Sequence, residues 1–190
     1  MLVCRSNLEQ RLSAYSPAIL DAAHQRQAAV AMILKLDHGQ LEMFFIKRAA
    51  HKKDPWSGQI AFPGGGKEDQ DQDVFDTACR ETREEVGMRL DRSMEIGRLD
   101  DQRGRNTRQN FSLVISCFIF LIPESQPVRH NNEVGESFWI PLDELFSEER
   151  KFEYYNGYPE EPYPAVRFDG GEVLWGLTYR FVQGLIRVLK

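Results

Sequence analysis

Apolar residues follow two rhythms along this chain. Ala28–Leu36 and Leu41–Ile46 are short, nearly continuous apolar runs, as expected of strands covered on both sides. Asp37, His38 and Gly39 separate them, so the two runs predict a hairpin. Gln59–Phe62 predicts another short strand, stopped by Pro63-Gly64-Gly65-Gly66. From Val74 to Val86 the rhythm changes. Phe75, Ala78, Cys79, Thr82 and Val86 recur at helical spacing and predict a helix with one packing face, ended by Gly87. Met94–Leu99 and Phe111–Ile122 predict strands on either side of a polar, Arg-rich loop over 100–110. Phe138–Ile140 predicts a short strand, Pro141–Phe146 a short helix and Tyr154–Pro164 a loop. Val166–Phe168 and Val173–Trp175 flank Asp169-Gly170-Gly171 and predict a second hairpin. Leu177–Leu189 predicts a closing amphipathic helix. The N-terminal stretch 6–26 is polar with scattered Leu and Ala and predicts one or two short helices. Together these elements predict one mixed α/β domain, with residues 1–27 as a helical extension and 28–190 as its body.

Composition narrows the possibilities. The 190 residues are 42% hydrophobic and 28% charged, enough to build a core without disulfides or a structural metal. A formal net charge of -5 argues against a general nucleic-acid or membrane-surface binder. It also means that an anionic substrate must be met by local cations or bound metal. Cys4, Cys79 and Cys117 lack the paired spacing of a disulfide framework, and Cys79 and Cys117 fit buried thiols. No basic segment followed by an apolar run opens the chain, and no apolar run reaches the ~18 residues of a membrane span. A reducing cytoplasm is the expected location.

The chemistry concentrates in Arg80-Glu81-Thr82-Arg83-Glu84-Glu85-Val86-Gly87. At about 100° per residue, Glu81, Glu84 and Glu85 share a side of the helix away from Phe75, Ala78, Thr82 and Val86. Like charges at this spacing destabilise a helix, whereas a hard divalent cation reverses the sign. Read alone, such a helix favours a solvated face with Arg80 and Arg83 paired to glutamates. The upstream Phe62-Pro63-Gly64-Gly65-Gly66 adds a turn at which backbone can approach metal or phosphate closely.

In this combination the sequence resembles the Nudix hydrolases. Gly66, Arg80, Glu81, Glu84, Glu85, Gly87 and Met88 stand in register with that family's signature. Two positions depart from it. Thr82 replaces an apolar residue, and Gln72 replaces an early glutamate, so Asp71 or Asp73 is expected to stand in. The resemblance implies the Nudix α/β/α sandwich with a mixed sheet and a diphosphatase acting on phosphoric anhydride bonds. It implies Mg2+ as cofactor, with Mn2+ able to substitute. Glu81, Glu84, Glu85 and the carbonyl of Gly65 become metal ligands, and Arg80 orients a glutamate. Glu84, Arg80 and Glu133 form the catalytic set, Glu133 positioning or deprotonating the water, with Glu136 in reserve.

A narrower resemblance, to the coenzyme A pyrophosphatase-like branch, rests on Lys47-Arg48, Gly58-Gln59, Phe62-Pro63-Gly64-Gly65, Asn132-Glu133-Val134 before Trp139, and Trp175-Gly176-Leu177-Thr178. The chain departs from that branch between Arg48 and Gly58, where Lys52-Lys53-Asp54-Pro55-Trp56 stands. Arg48, Lys52, Lys53, Lys67, Arg103 and Arg105 are the expected phosphate-binding cations, with Arg108 in the same loop. Trp56 is either a stacking platform for adenine or a loop anchor. The expected partner is a small-molecule nucleoside diphosphate derivative, with a homodimer possible and neither nucleic acid nor membrane engaged. ADP-ribose or a nucleotide sugar is the alternative substrate, and a non-catalytic nucleotide-binding module the alternative class.

Overall fold

Ala28, Met32 and Leu34 enter one hydrophobic core, while Ala29, Ala31 and Ile33 enter a second. Successive side chains on a strand face opposite ways, so this stretch is a strand covered on both faces. The same alternation recurs at Ile115, Cys117, Ile119 and Leu121 against Phe118, Phe120 and Ile122. The computed structural model describes residues 5–23, 25–50, 57–106, 111–156 and 162–190. It has helices on both sides of a mixed sheet, the predicted α/β/α sandwich.

In chain order the elements are α1 (Arg5–Ala14), β1 (Arg26–Asp37), β2 (Gln40–Arg48), β3 (Ile60–Ala61), β4 (Gly64–Gly66) and α2 (Val74–Val86). Then follow β5 (Glu95–Arg98), β6 (Gln102–Asn106), β7 (Phe111–Ile122), β8 (Val134–Pro141) and α3 (Leu142–Phe146). The chain closes with β9 (Lys151–Tyr154), β10 (Tyr163–Arg167), β11 (Val173–Trp175) and α4 (Gly176–Leu189).

The pairing pattern creates a gap that receives the Gly-rich turn. β1 runs parallel to β7 from Arg26↔Leu113 to Lys35↔Ile122. On its other edge it pairs with β2 only near their turn, from Leu34↔Met43 to Asp37↔Gln40. Beyond that point the two strands part. β3 attaches to β2 through Ile46 and Lys47, and β4 to β1 through Ala28, Ala29 and Val30. The turn joining β3 to β4 therefore sits between two diverging strands. β8 covers the far edge of β2, and β5 and β6 both pair with β7. The hairpin turn has His38 at φ 45° and Gly39 at φ 84°, the left-handed pair that a two-residue hairpin loop requires.

α2 lies on one side, through Phe75, Ala78 and Val86. α1 and α4 cover the other, through Leu8 and Leu12 and through Phe181, Val182, Leu185 and Leu189. The small sheet β11-β10-β9 adds Val166 and Leu174 to that core. No helix among the described residues is long and apolar enough to cross a membrane.

Some expectations change. The loop over 100–110 contains a strand, β6, which lies flat on β7 although its residues Gln102, Arg103 and Arg105 carry no apolar alternation. β8 begins at Val134 rather than Phe138, and β9 and β10 take both ends of the Tyr154–Pro164 segment. The N-terminal stretch, as expected, holds a short helix among its described residues, after which the chain is tied down by polar contacts. Tyr15 Oη and Ala18 N–H both donate to Asp100 Oδ1 at 2.7 Å, and Leu20 N–H donates to Asp101 Oδ2 at 3.0 Å.

Candidate active site

Two glycines bring backbone against two glutamates. Gly64 has φ 154°, and a side chain there would strike the carbonyl oxygen of Ala29 and the Cα of Val30. Its N–H donates to Glu85 Oε2 at 2.9 Å. A Cβ on Gly65 would stand 2.5 Å from the carboxyl carbon of Glu81. Glycine at position 64 is thus imposed by backbone contact, whereas at position 65 a side chain would displace the Glu81 carboxylate.

α2 presents these glutamates because both its ends are fixed. Asp73 caps the start, its Oδ1 accepting from Asp76 N–H at 2.9 Å, and Gly87 ends it at φ 76°, its N–H donating to Arg83 O. Thr82, polar on a packing face, is fully buried and donates its hydroxyl to Ala78 O at 2.7 Å. That bond removes the desolvation penalty an unpaired hydroxyl would carry.

Arg80 organises the acidic side of the helix. Its guanidinium donates to Asp71 Oδ1 (Nε, 2.8 Å), Asp71 Oδ2 (Nη2, 3.0 Å), Gly66 O (Nη2, 2.9 Å), Glu81 Oε1 (Nη1, 3.0 Å) and Glu84 Oε2 (Nη1, 3.1 Å). The side chain is 8% exposed, so these contacts are charge-assisted bonds shielded from water. Asp71 also accepts from Thr77 Oγ1 and Glu68 N–H. Hydrogen bonding from Arg80 outweighs burial and holds the Asp71 carboxyl far below the usual range. Of the two acids flanking Gln72, Asp71 is the one whose side chain reaches Arg80. Asp73 is spent on the helix cap and on Arg92 at 2.8 Å, while Gln72 is exposed.

The glutamates differ in surroundings. Glu85 is 2% exposed, and burial pushes its carboxyl up to about 7 against the opposing Gly64 N–H. Burial also raises Glu81, against the pull of Arg80. Glu84 is half-exposed. Among the described residues, no three His, Cys, Asp or Glu side chains already form a metal-binding cluster. Mg2+ needs no such cage, because it keeps several waters and binds through one or two carboxylates plus phosphate oxygens. Glu81, Glu84, Glu85 and the turn's carbonyls supply only hard oxygen donors, which fits that ion.

A profile of the NUDIX domain matches residues 25–160. The chain belongs to the NUDIX family. NUDIX hydrolases cleave phosphoric anhydride bonds and generally use divalent metal ions. An uncharacterized protein of Schizosaccharomyces pombe is 31% identical over 156 residues, covering 72% of this chain and 47% of that protein. The chain thus spans about half the length of this relative. An uncharacterized Nudix hydrolase NudL of Pectobacterium atrosepticum is 25% identical over 173 residues, covering 89% of this chain and 86% of that one. A MutT/nudix family protein from Enterococcus faecalis shares the fold, with a TM-score of 0.60 at 15% identity over 100% of this chain and 76% of that chain.

The NUDIX helix does not stand alone. Glu133 sits in the loop before β8, its carbonyl accepting from Ala49 N–H at 2.7 Å. Its charge contributes to the raised carboxyls of both Glu81 and Glu85. Glu136 instead stands 3.7 Å from Lys47 Nζ. Arg48 ends β2, and its charge partly offsets the rise at Glu85. Lys67 donates its ammonium to Asp71 O at 2.7 Å, bracing the turn, and Arg103 donates to Gln25 Oε1 at 2.9 Å. Arg105 lies on β6. Lys52, Lys53, Trp56 and Arg108 lie outside the described residues.

One feature was not legible in the sequence. A cleft of about 550 Å³ opens between β3 and the small sheet, lined by Lys47, Gln59, Tyr154, Asn156, Glu172 and Trp175 among others. Gln59 and Trp175 were conspicuous only as parts of separate motifs. Their meeting depends on β11 packing beside β3.

Proposed function

We propose that this NUDIX protein is a Mg2+-dependent diphosphatase of coenzyme A or a related nucleoside diphosphate derivative, with Mn2+ able to substitute. The observation that carries the reading is the Arg80 guanidinium, which ties Asp71, the carbonyl of Gly66, Glu81 and Glu84 into one array beside the Gly-rich turn. Glu81, Glu84, Glu85 and the carbonyl of Gly65 are assigned to hold the metal. Mg2+ bound there polarises the diphosphate and acidifies a water. Arg80 fixes the direction of Glu81 and Glu84. Glu133 receives the proton of the attacking water, which adds at phosphorus as the anhydride oxygen leaves with its electron pair.

Cations and shape support a nucleotide rather than a simple diphosphate. Arg103 pairs with Val114, Val114 with Gln27, and Gln27 accepts the N–H of Lys67. Three strand spacings, about 14 Å, thus separate Arg103 from the turn, within reach of a substrate with several phosphates. Arg48 ends β2 beside Gly58 and Gln59, which lead into the cleft. Aromatic Tyr154 and Trp175 on its wall, with ring centroids 5.3 Å apart, offer surface to a base or to an apolar arm.

The deciding experiment incubates the purified protein and Mg2+ with coenzyme A, ADP-ribose and a nucleotide sugar and identifies the products. Coenzyme A should yield 3′,5′-ADP and 4′-phosphopantetheine. Faster cleavage of ADP-ribose or the nucleotide sugar would reassign the substrate, and binding without cleavage of any of them would refute the hydrolase reading.

A further inference from the structure

The loop before β8 is fastened to both sides of the proposed site, and Asn131 links the two fastenings. The N–H of Asn131 donates to Glu85 O at 3.0 Å, and that of Arg129 to Val86 O at 2.9 Å. These bonds satisfy carbonyls that the end of α2 would otherwise leave without helical partners. The side chain of Asn131 then turns back, its Oδ1 accepting the N–H of Glu133 at 2.8 Å. Asn131 O also accepts from Val134 N–H at 3.4 Å. On the far side, Glu133 O holds Ala49 N–H at the end of β2. The chain of contacts therefore runs from the backbone of Glu85 through Asn131 to the backbone of Glu133.

We propose that Asn131 is a positioning residue, which sets Glu133 at a fixed place relative to Glu81 and Glu85. An exposed acid in a loop has many rotamers and backbone states. The side-chain turn at Asn131 removes backbone freedom where it matters, and the bond to Glu85 O makes α2 the reference frame. The inference rests on the role proposed for Glu133.

The test compares Asn131→Ala, Asn131→Asp, Glu133→Gln and the double variant Asn131→Ala/Glu133→Gln. Asn131→Asp keeps the acceptor oxygen at the same reach. Asn131→Ala should lower kcat about 10- to 100-fold, the usual effect of losing a supporting partner, with KM unchanged and the melting temperature little altered. Asn131→Asp should restore most of kcat. The double variant should be no slower than Glu133→Gln, because residues that act through one another are non-additive. Amide hydrogen exchange of the substrate-free protein gives a reading independent of turnover, with faster exchange of the Glu133 N–H expected in Asn131→Ala than in Asn131→Asp. Normal kcat in Asn131→Ala beside a slow Glu133→Gln would overturn the positioning role alone. So would additive losses, or an Asn131→Asp as slow as Asn131→Ala. Normal turnover in Glu133→Gln would remove the role of Glu133 and this inference with it.

Discussion

Arg80 and Asp71 meet side by side, Nε to Oδ1 at 2.8 Å and Nη2 to Oδ2 at 3.0 Å, both nearly closed to solvent. Asp71 immediately precedes Gln72, the position at which the family signature has a glutamate. Asn in place of Asp71 keeps one acceptor oxygen but removes the charge and turns an amide NH2 toward a buried guanidinium. Asp71→Asn should therefore destabilise the fold by ~3–5 kcal/mol and loosen Arg80, the anchor shared by Glu81 and Glu84, with turnover falling as well. Gln72→Ala, at an exposed side chain, should change neither. Urea denaturation and steady-state rates of the two variants check this; equal, small effects would show that the Arg80 array is dispensable.

The same pair gives an acid-dependence with a definite sign. Hydrogen bonding from Arg80, opposed by burial, depresses the carboxyl of Asp71 in the folded protein. A free aspartate titrates near pH ~3.9, so as pH falls the unfolded chain takes up this proton first. The stabilisation is complete above that value and is lost as pH drops toward the folded pKa. Urea midpoints of wild type and Asp71→Asn should be far apart at neutral pH and converge below pH ~4. A gap that stays constant well below that pH would contradict the pairing.

How much of this was legible beforehand depends on where the information lies. The apolar runs at 28–36, 41–46 and 111–122 announced the central strands because both faces are buried. Gly87 marked the end of α2 because capping is local in sequence. β6 was hidden because an Arg- and Gln-bearing edge strand is stabilised by pairing with β7 rather than by apolar alternation. In the site, the Glu81, Glu84 and Glu85 spacing was readable from helical geometry. The choice of Asp71 over Asp73 was not, since it turns on which acid reaches Arg80 across the folded loop. Asn131 was equally hidden, as its partners Glu85 and Glu133 are joined only by tertiary structure.

Gly65 separates close approach from turn conformation. A methyl there would overlap the carboxylate of Glu81, whereas one on Gly66 would meet nothing within 4 Å among the described residues. Gly65→Ala should push Glu81 aside and cost about 100-fold in kcat, the scale of a 1 Å misplacement. Gly66→Ala should retain near-normal activity, its carbonyl still accepting from Arg80. Comparable rates in the two variants would show that Glu81 moves freely and is not held by the turn.

Glu84→Gln and Glu85→Gln should each lower turnover by orders of magnitude while the fold persists. Gln keeps the shape, and at position 85 it can still accept the Gly64 N–H. Burial raises the Glu85 carboxyl to about 7, so in metal-free protein its ionisation opposes folding increasingly as pH rises toward that value. Metal-free Glu85→Gln should therefore melt no lower than wild type at pH ~8, with any advantage fading toward pH ~4, where both folded and unfolded glutamates are protonated. Activity close to wild type at saturating Mg2+ in either variant would break the metal assignment.

The last prediction concerns the substrate's extra charge. Coenzyme A carries a ribose phosphate that dephospho-coenzyme A lacks. The net charge of -5 gives the protein no general attraction for it, so recognition must come from particular cations. Arg48 ends β2 and Arg103 lies on β6, and arginine binds phosphate with two parallel bonds. Because a hydrogen bond to a charged group contributes ~1.5–3 kcal/mol, one such contact should make dephospho-coenzyme A about 10- to 150-fold poorer. The comparison belongs in kcat/KM, since specificity is set by differential transition-state binding. Arg48→Ala and Arg103→Ala should be assayed on both substrates. The variant that loses the contact should approach equal kcat/KM on the two, through loss on coenzyme A alone. Equal values already in wild type would exclude any contact to that phosphate, and a parallel fall on both substrates would place the arginine at the diphosphate itself.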